Sequence, residues 1–591
     1  MKSLSLAALP FLQGFTKHFY SIKWFNYEER NFDRFFMNNL DEAAWKRIIK
    51  NFQENETDGV INNSIKEFPP QIYELDNKTI PAKLKSRRDH LLNAGLKYYR
   101  FLSKEVNIVG SNKKEYFKLS NLGNDLEVKV YKVNKSNDSS SVMFNRIFHA
   151  RDTKYINLYG LNGNDIFEVD STANSKIKLR IIGGKGKDTF NIKGNVSNKI
   201  YDYTPDSNYI ENGHKSSNEI SSDPQVNNYD ITGFNYNTYR LPLVSIGFNE
   251  DDKFIAGIGY SYKTYSFRKE PYSTFQRITS LLSFKTSAYQ VKYNGEFNQR
   301  IGKFDLLANG QLYNTVLNNF YGIGNETKKD INKNASFYNV RYSSFSWEML
   351  LRKRLHDLVE FNIGPSFYHY WNKYSANEGK ILAQPGFAGF DSASIFSKKT
   401  YLGAKVALVI HNVNRDLLPT RGMLWNTELS SLFGINNNSR QITKITSDFL
   451  LHSSLNDPTR LVAVLRFGYG HIFDKNYEYF QALTLGSNNY LRGYRKDRFA
   501  GRSILYNSIE LRYKVFDSKS YLVPGSVGLM AFNDLGRVYD KHETSRKWHD
   551  GFGGGLYYSP YNFAIVSATI AFSGEGSFYN FSMGTKFNIT Y

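Results

Sequence analysis

The 591-residue sequence predicts a mainly β protein, in which a 16-stranded antiparallel transmembrane β-barrel follows an N-terminal α+β soluble region. About sixteen segments between residues 239 and 591 alternate apolar and polar side chains, several of them over 10 to 15 residues. Their connections alternate between tight polar turns and stretches of more than 20 residues. No stretch approaches the roughly 18 consecutive apolar residues of a membrane helix, so a chain of this kind spans a bilayer as a closed barrel.

The composition agrees with a barrel and excludes several kinds of site. Aromatic residues make up 16% of a chain whose mean hydropathy is -0.50, so the sequence is aromatic but polar overall. The absence of Cys excludes disulfides, a thiolate nucleophile and a Cys-ligated metal. The net charge of +21 is spread over strands and loops without a nucleic-acid motif. We therefore expect a solvated surface or contact with anionic lipid, and no nucleic-acid partner.

Residues 1–106 are predicted to form a helical soluble region. Asp41 and Glu42 place acidic residues at the start of one helix. Apolar residues between Leu84 and Leu102 have the spacing of a second helix with one apolar face. The first twelve residues carry a charge and a short apolar run, but no small-x-small cleavage site follows, so they are not typical of a signal peptide.

Residues 107–203 are predicted to form a small β-rich region with two glycine-rich turns. The turns, at 160–167 and 183–190, carry Asp165 and Asp188, which are 23 residues apart. Each resembles the nonapeptide of calcium-binding β-rolls, in which Gly permits the tight turn and Asp supplies an oxygen ligand. In those rolls the repeats follow one another directly, whereas here a strand separates them. Asp165 and Asp188 are thus candidate calcium ligands, and the alternative is two tight turns in a roll-like β unit.

Residues 204–228 are rich in Ser and Asn, which predicts a polar linker. Residues 229–591 then carry the strand pattern of the barrel. The last strand shows it most clearly, because odd positions from Phe581 to Tyr591 are apolar or Thr while the even positions are polar or Gly. Successive side chains of a strand point to opposite faces, so the pattern predicts one face towards lipid and one towards the lumen.

A long basic loop at 485–502 precedes a strand with two different faces. Ile509 and Leu511 lie on its apolar face, and Glu510 lies on the polar face, away from lipid. Gly493 fits a turn whose backbone approaches another part of the chain closely, and Tyr494 is a candidate to brace that turn. The alternative is a solvated loop, because runs of charge are usually solvated. The basic residues of the loop are Arg492, Arg495, Lys496, Arg498 and Arg502.

Four local patterns in a fixed order establish a family resemblance. They are a turn before a strand at 414–422, the Arg492-Gly493-Tyr494 loop motif, an Asp-x-Gly signature at 533–538, and the C-terminal strand. Together they resemble the bacterial surface antigen superfamily of outer-membrane β-barrels, the group that contains BamA, TamA and the two-partner secretion transporters. The resemblance covers residues from about 229 to the end.

The resemblance implies roles for particular residues. In the family the loop folds back into the barrel and its Arg pairs with carboxylates of the inner wall; the matching residues are Arg492, with Glu510 and Asp534 as partners. The resemblance also implies an outer-membrane location with residues 1–228 in the periplasm, and contact with outer-membrane lipids and lipopolysaccharide. The last strand carries an insertion signal in such barrels, and the matching residues are Gly584, Phe587, Ile589 and Tyr591.

The N-terminal region departs from the family pattern. Residues 1–228 show no repeat of the periplasmic POTRA module. They resemble instead the segment before the barrel in proteins fused to a calcineurin-type metallophosphatase, but none of that enzyme's metal motifs is present. His-Glu-x-x-His, Gly-x-Ser-x-Gly and Walker motifs are also missing. We therefore expect neither enzyme activity nor a cofactor, unless the chain is a fragment of such a fusion, and we interpret Asp251 and Asp252 as a solvated turn.

Two functions of different class remain open. In the first, a BamA-like or TamA-like barrel handles unfolded outer-membrane proteins or periplasmic partners, and a seam between its first strand, near 239–249, and its last, at 578–591, opens to pair with a client strand. In the second, the barrel is an anchor or passive channel that carries a periplasmic binding domain. The Arg492-Gly493-Tyr494 loop favours assembly or translocation, and the absence of POTRA modules favours the anchor.

Overall fold

The structure is a computed structural model that describes residues 14–134, 139–355, 358–384, 392–456, 458–487, 490–520, 523–541, 543–561 and 564–585. In these ranges the chain forms one unit up to Asn235 and a second from Tyr236 onwards. None of the helices described is long and apolar enough to cross a membrane. The helices are α1 (Ile22–Phe25), α2 (Arg30–Phe36), α3 (Glu42–Asn55), α4 (Asp58–Lys66), α5 (Pro70–Asp76), α6 (Thr79–Asp89), α7 (Leu91–Ser103) and α8 (Ser392–Ile395).

The strands fall into an N-terminal set and a barrel set. The first set is β1 (Glu105–Val109), β2 (Glu115–Leu122), β3 (Asp125–Val133), β4 (Ser139–Phe148), β5 (Tyr155–Tyr159), β6 (Ile166–Val169), β7 (Asn174–Ile182), β8 (Thr189–Ile192), β9 (Asn195–Tyr203), β10 (Tyr209–Glu211) and β11 (Ser216–Ser221). The second set is β12 (Thr238–Asn249), β13 (Lys253–Thr264), β14 (Thr274–Ser283), β15 (Tyr289–Ile301), β16 (Phe304–Asn319), β17 (Asn339–Leu355), β18 (Val359–Trp371), β19 (Lys399–Val413), β20 (Gly422–Gly434), β21 (Ile442–Ser454), β22 (Leu461–Ile472), β23 (Leu483–Leu485), β24 (Phe499–Gly501), β25 (Ser503–Ser518), β26 (Gly525–Tyr539), β27 (His549–Pro560), β28 (Ala564–Ser573) and β29 (Gly576–Thr585).

The helical part of the first unit is built around α3 and α7. The Asp41 side chain caps α3 by accepting the N–H of Ala44 at 2.7 Å. Ile49 on α3 and Tyr99 on α7 are buried in the core between the helices. The apolar spacing between Leu84 and Leu102 predicts a single helix, but the structure has two that meet at His90, whose φ of -92° and ψ of 0° are not helical.

The β part of the first unit is a short parallel solenoid. One sheet has the order β1-β5-β7-β9-β11 and the other has the order β10-β8-β6-β2-β3-β4. Each turn of the chain adds one strand to each sheet, and β5 pairs with β7 in parallel as β6 pairs with β8. Side chains from the two sheets meet in a continuous apolar core that includes stacked rings of Phe117, Phe167 and Phe190. The predicted roll-like β unit is therefore a stack of rungs.

The predicted linker at 204–228 is wrong, because this segment completes the solenoid. It contains β10 and β11, which pair in parallel with β8 and β9. The Ser- and Asn-rich composition reflects hydrogen bonding between rungs: Asn208 accepts the N–H of Asp188 at 2.7 Å, and Asn227 donates to Asp202 at 3.0 Å. Polar composition alone does not distinguish a linker from the polar edge of a solenoid.

The second unit is a closed antiparallel barrel of sixteen strands, β12 to β22 and β25 to β29. Side chains on its outer face are apolar and exposed, as Ile509, Leu511 and Tyr513 are on β25. Connections at one end are long, at 320–338, 372–398 and 473–502, whereas the other end has short turns such as 302–303 and 455–460. The predicted 16-stranded barrel behind an α+β region is confirmed.

Candidate functional site in the barrel lumen

The loop between β22 and β25 folds inward and packs against the barrel wall. Its strands β23 and β24 form a small hairpin-like sheet with Leu483 opposite Gly501. Leu491 and Tyr494 are buried in a cluster that also includes Ile504 of β25 and Val538 of β26. The loop is therefore held by apolar contacts as well as by charge. A solvated loop, the alternative interpretation of the sequence, would not have such buried apolar contacts.

Arg492 lies against the polar inner face of β25 and β26. Its Nε and one terminal nitrogen bind both oxygens of Asp534 at 2.7 and 2.8 Å, and its other terminal nitrogen binds Glu510 at 2.6 Å. The guanidinium also donates to Ser508 at 3.1 Å and lies 3.6 Å from the ring centroid of Phe532. Asp534 is only 1% exposed, so this bidentate pair lies in a dry environment where charged hydrogen bonds are strong.

Gly493 makes a close approach that a side chain would prevent. Its φ is +92°, and a Cβ atom would lie 2.7 Å from the carbonyl oxygen of Phe572 on β28. Ser573 donates a hydrogen bond to the carbonyl oxygen of Gly493. Tyr494 is buried and packs edge-on against Phe499 and His549, so its ring contacts the loop and the start of β27. The structure thus brings all three motif residues to the inner wall.

Two further basic residues of the loop reach turns on either side of the barrel closure. Arg495 binds Asp251, in the turn between β12 and β13, at 2.7 Å. Arg498 binds Glu575, in the turn between β28 and β29, at 2.6 Å. We call these two ion pairs the loop clasp. Since β12 and β29 are the first and last strands, the clasp connects the loop to both sides of the closure.

The interpretation of Asp251 as part of a solvated turn is wrong. Its side chain is 4% exposed, and its second oxygen accepts the backbone N–H of Lys496 at 3.1 Å.

Arg466 is another lumen residue that the sequence did not single out; it pairs with Asp448 and stacks on Tyr490 at 3.9 Å. The alternation of side chains along β21 and β22 could have indicated that Asp448 and Arg466 face inward. It could not have indicated that they pair with each other.

We call the closure between the first strand, β12, and the last strand, β29, the seam. In the described residues the two strands are in register at Gly247 with Ser582 and at Phe248 with Phe581. The part of the last strand beyond Thr585 is not described. Of the predicted insertion signal, Gly584 pairs with Ile565 of β28, whereas Phe587, Ile589 and Tyr591 lie outside the described residues.

The two Gly-Asp turns stack as successive rungs of the solenoid. Oδ1 of Asp165 accepts the N–H of Glu115, and Oδ1 of Asp188 accepts the N–H of Asp165, both at 2.7 Å. Burial raises the pKa of Asp165 to about 9 and that of Asp188 to about 7. Over the described ranges no group of three or more His, Cys, Asp or Glu side chains is arranged to hold a metal ion. The described geometry is that of a hydrogen-bonded ladder between rungs.

Comparisons with known proteins give one family match and several distant structural matches. A profile of the Omp85 superfamily domain matches residues 178–587. Among solved structures, BamA from Haemophilus ducreyi lacking POTRA domains 1-3 is 12% identical, with a TM-score of 0.43, over 60% of this chain and 70% of that one. CdiB from Acinetobacter baumannii is 13% identical, with a TM-score of 0.36, over 59% of each chain.

A second CdiB, from Escherichia coli, is 14% identical, with a TM-score of 0.37, over 57% of this chain and 62% of that chain. No curated protein sequence has significant similarity to this one. The profile match begins in the solenoid, at β7, and continues into the last strand, so it spans more than half of the chain. The sixteen-stranded barrel, its inward-folded loop and this match together show that the chain belongs to the Omp85 superfamily of outer-membrane β-barrels.

Proposed function

We propose that this protein assembles or translocates other outer-membrane proteins by opening its barrel at the seam between β12 and β29. The observation that carries the proposal is the loop clasp, which connects the inner loop to the turns next to β12 and β29. Opening the seam would leave backbone groups of both strands without partners, at a cost of roughly 0.5–1.5 kcal/mol for each hydrogen bond lost. A client strand that pairs with the opened edge would satisfy the same backbone groups, which lipid cannot do.

The loop clasp supports the proposal because it connects the inner loop to the seam. Arg495 and Arg498 hold the turns next to β12 and β29 while Arg492 is fixed to β26. A client that displaces the loop would release both turns at once. In this proposal the lumen residues Arg492, Gly493 and Tyr494 position the loop and do no chemistry, and the solenoid and helices lie in the periplasm.

A reversible covalent lock tests the opening. Phe248→Cys with Phe581→Cys places two thiols on facing positions of the seam in a chain without Cys. The measurement is the outer-membrane content of other barrels in cells that depend on the variant. We expect oxidation to deplete those barrels and a reductant to restore them.

The matched control moves the same lock to a neighbouring strand pair. Ala568→Cys with Phe581→Cys joins β28 to β29 and keeps one of the two substitutions. This control is expected to support normal barrel levels when oxidised. Normal levels with the oxidised seam lock, confirmed as cross-linked, would contradict the proposal.

The second candidate is a barrel that anchors a binding domain or conducts small solutes. It is favoured by the N-terminal unit, whose described residues form helices and a parallel solenoid in place of repeated POTRA modules. Depletion of the protein separates the two functions. A broad loss of barrels supports assembly, whereas an unchanged protein profile with altered solute uptake or lipid content supports the anchor or channel.

A further inference from the structure

A small pocket lies where the helical part of the N-terminal unit meets the solenoid. Its walls come from α2, α3, α7, β1 and β4. The pocket has a volume of about 20 Å³, which is room for one water-sized group or a single-atom ion. The residues that line it include Asp33, Arg34, Trp45, Tyr99 and Arg146. Charged and aromatic side chains therefore surround a space that is too small for an ordinary organic ligand.

Arg146 brings a buried positive charge to this pocket. It lies on β4, and only 5% of the residue is exposed. One terminal nitrogen donates to the carbonyl oxygen of Asn38 at 2.6 Å. The other donates to Oγ of Ser103 at 3.1 Å and to the hydroxyl of Tyr99 at 3.4 Å. All three acceptors are neutral, so they satisfy N–H groups but do not compensate the charge of the guanidinium.

The described part of the chain supplies no carboxylate that forms an ion pair with Arg146, and the Nε atom is buried there without a hydrogen-bond partner. Asp41 and Asp152 favour the charged form of Arg146, but burial opposes it more strongly and lowers its pKa. Buried arginines are nearly always paired, because removing an unpaired charge from water is costly. Arg146 is therefore a buried cation beside a cavity that can hold one small ion.

The two carboxylates that line the pocket are engaged with other groups. Glu105 binds Arg180 at 2.7 Å. Asp33 accepts the hydroxyl of Tyr98 at 2.5 Å, and burial raises the pKa of Asp33, which favours its neutral form. Arg34 adds a second guanidinium to the pocket wall and donates to the carbonyl oxygen of Glu105 at 2.7 Å. The charge balance of the pocket is therefore positive.

We propose that this pocket binds a single anion of halide size beside the guanidinium of Arg146. The anion would accept an N–H of the guanidinium and supply the counter-charge that the described side chains do not. Because α2, α7 and β4 all contribute to the walls, a bound anion would hold the helices against the solenoid. Chloride is the probe that matches this size and charge. The site does not depend on what the barrel does.

The stability of the N-terminal unit at different chloride concentrations tests this proposal in the full-length protein. Pulse proteolysis in urea measures the ratio of folded to unfolded N-terminal unit in detergent micelles. The ionic strength is kept constant with gluconate, an anion that is too large for the pocket. A ligand that binds only the folded state raises this ratio by the factor 1 + [L]/Kd, so chloride at about ten times its Kd should raise it about elevenfold.

Two arginine variants show whether the effect belongs to the pocket. Arg146→Met removes the charge and keeps most of the side-chain volume, so its stability should not depend on chloride. The matched control is Arg151→Met, at an arginine of the same unit whose side chain is 73% exposed, and it should keep the full chloride effect.

The wild-type titration decides the question even if Arg146→Met does not fold. A ratio that stays constant when chloride replaces gluconate would overturn the proposal. A chloride effect of equal size in Arg146→Met would overturn it as well, because the anion would then act at another place.

Discussion

Arg492 holds the inner loop to the polar inner face of the barrel. It binds two carboxylates and a hydroxyl, and one of the carboxylates, Asp534, is fully buried. Removing one partner of a buried pair leaves the other charge without compensation, which costs more than the pair itself contributes. Lys496, four residues away, donates its ammonium to the carbonyl oxygen of Leu317 at 3.1 Å. Removing Arg492 therefore leaves a buried carboxylate without its partner, whereas removing Lys496 leaves a backbone carbonyl without its partner.

We expect Arg492→Ala to lower the free energy of barrel unfolding by about 3 kcal/mol, since the buried Asp534 would lose its guanidinium partner, whereas Glu510 keeps its ion pair with Arg512. The matched substitution Lys496→Ala should cost under about 1 kcal/mol, because it leaves only a carbonyl to be solvated. Urea unfolding in detergent micelles, followed by the loss of heat-modifiable migration, measures both. Equal and negligible effects of the two substitutions would show that the loop is not docked inside the barrel.

At the residue scale the sequence predicted contacts only where strand parity or family resemblance restricted them. Glu510 could be placed on the inner wall because Ile509 and Leu511 are apolar, and the resemblance paired it with Arg492. Nothing comparable indicated that Arg495 binds Asp251, since the two are 244 residues apart and meet only when the barrel closes. Charge pairs of this kind depend on tertiary structure that a single sequence does not carry.

At the level of elements, the solenoid rungs are held by a polar ladder along one edge. Asn208, Asp188 and Asp165 each accept the N–H of the ladder residue on the next rung. An Asn at one end performs the same role as the two Asp residues, so the ladder needs the oxygen and not the charge. The 23-residue interval between Asp188 and Asp165 is the length of one rung. The interval can be read from the sequence. The strand between the two turns, however, made the turns look like separate features, so the stacking of the rungs was not predicted.

The ladder makes the stability of the solenoid depend on pH. Burial raises the pKa of Asp165 to about 9 from an ordinary value of 3.8, so the native state holds a proton that the unfolded chain releases. The native state then binds more protons between about pH 4 and pH 9, and the free energy of unfolding falls as the pH rises through that window. Asp165→Asn should weaken this dependence, most clearly above about pH 7 where the contribution of Asp188 has ended, and should stabilise the N-terminal unit at pH 8 by at least ~1 kcal/mol.

Pulse proteolysis of the N-terminal unit in urea, at a series of pH values, measures this effect in the full-length protein. The control is Asp170→Asn. Hydrogen bonds from Thr172 lower the pKa of Asp170, so its contribution to the pH dependence of stability has the opposite sign to that of Asp165. That control should leave the loss of stability between pH 4 and pH 9 in place. If the free energy of unfolding changed with pH in the same way in Asp165→Asn and in the wild-type protein, the buried carboxyl of Asp165 would have to be charged in the folded state.

At the scale of the whole molecule, the sequence predicted the barrel better than the unit before it. Alternation over sixteen strands is a repeated signal, so a weak indication in each strand becomes specific when all are counted. The solenoid has no such advantage, because its rungs are short and β6 and β8 have only four residues each. Its polar edge also has the composition of a linker. The barrel could be predicted because lipid selects one face of each strand, and no comparable restriction acts on the solenoid.

The closed barrel itself gives the last prediction. Neighbouring strands pair all the way round the barrel, so its wall has no open edge strand for a detergent to attack. We expect the full-length protein to fractionate with the outer membrane and to migrate faster on a detergent gel when it is not heated, because the compact barrel persists until heat unfolds it. Arg492→Ala should lower the temperature at which the slower band replaces the faster one, and Lys496→Ala should not. Recovery of the wild-type protein in the soluble fraction without denaturant would contradict a membrane barrel.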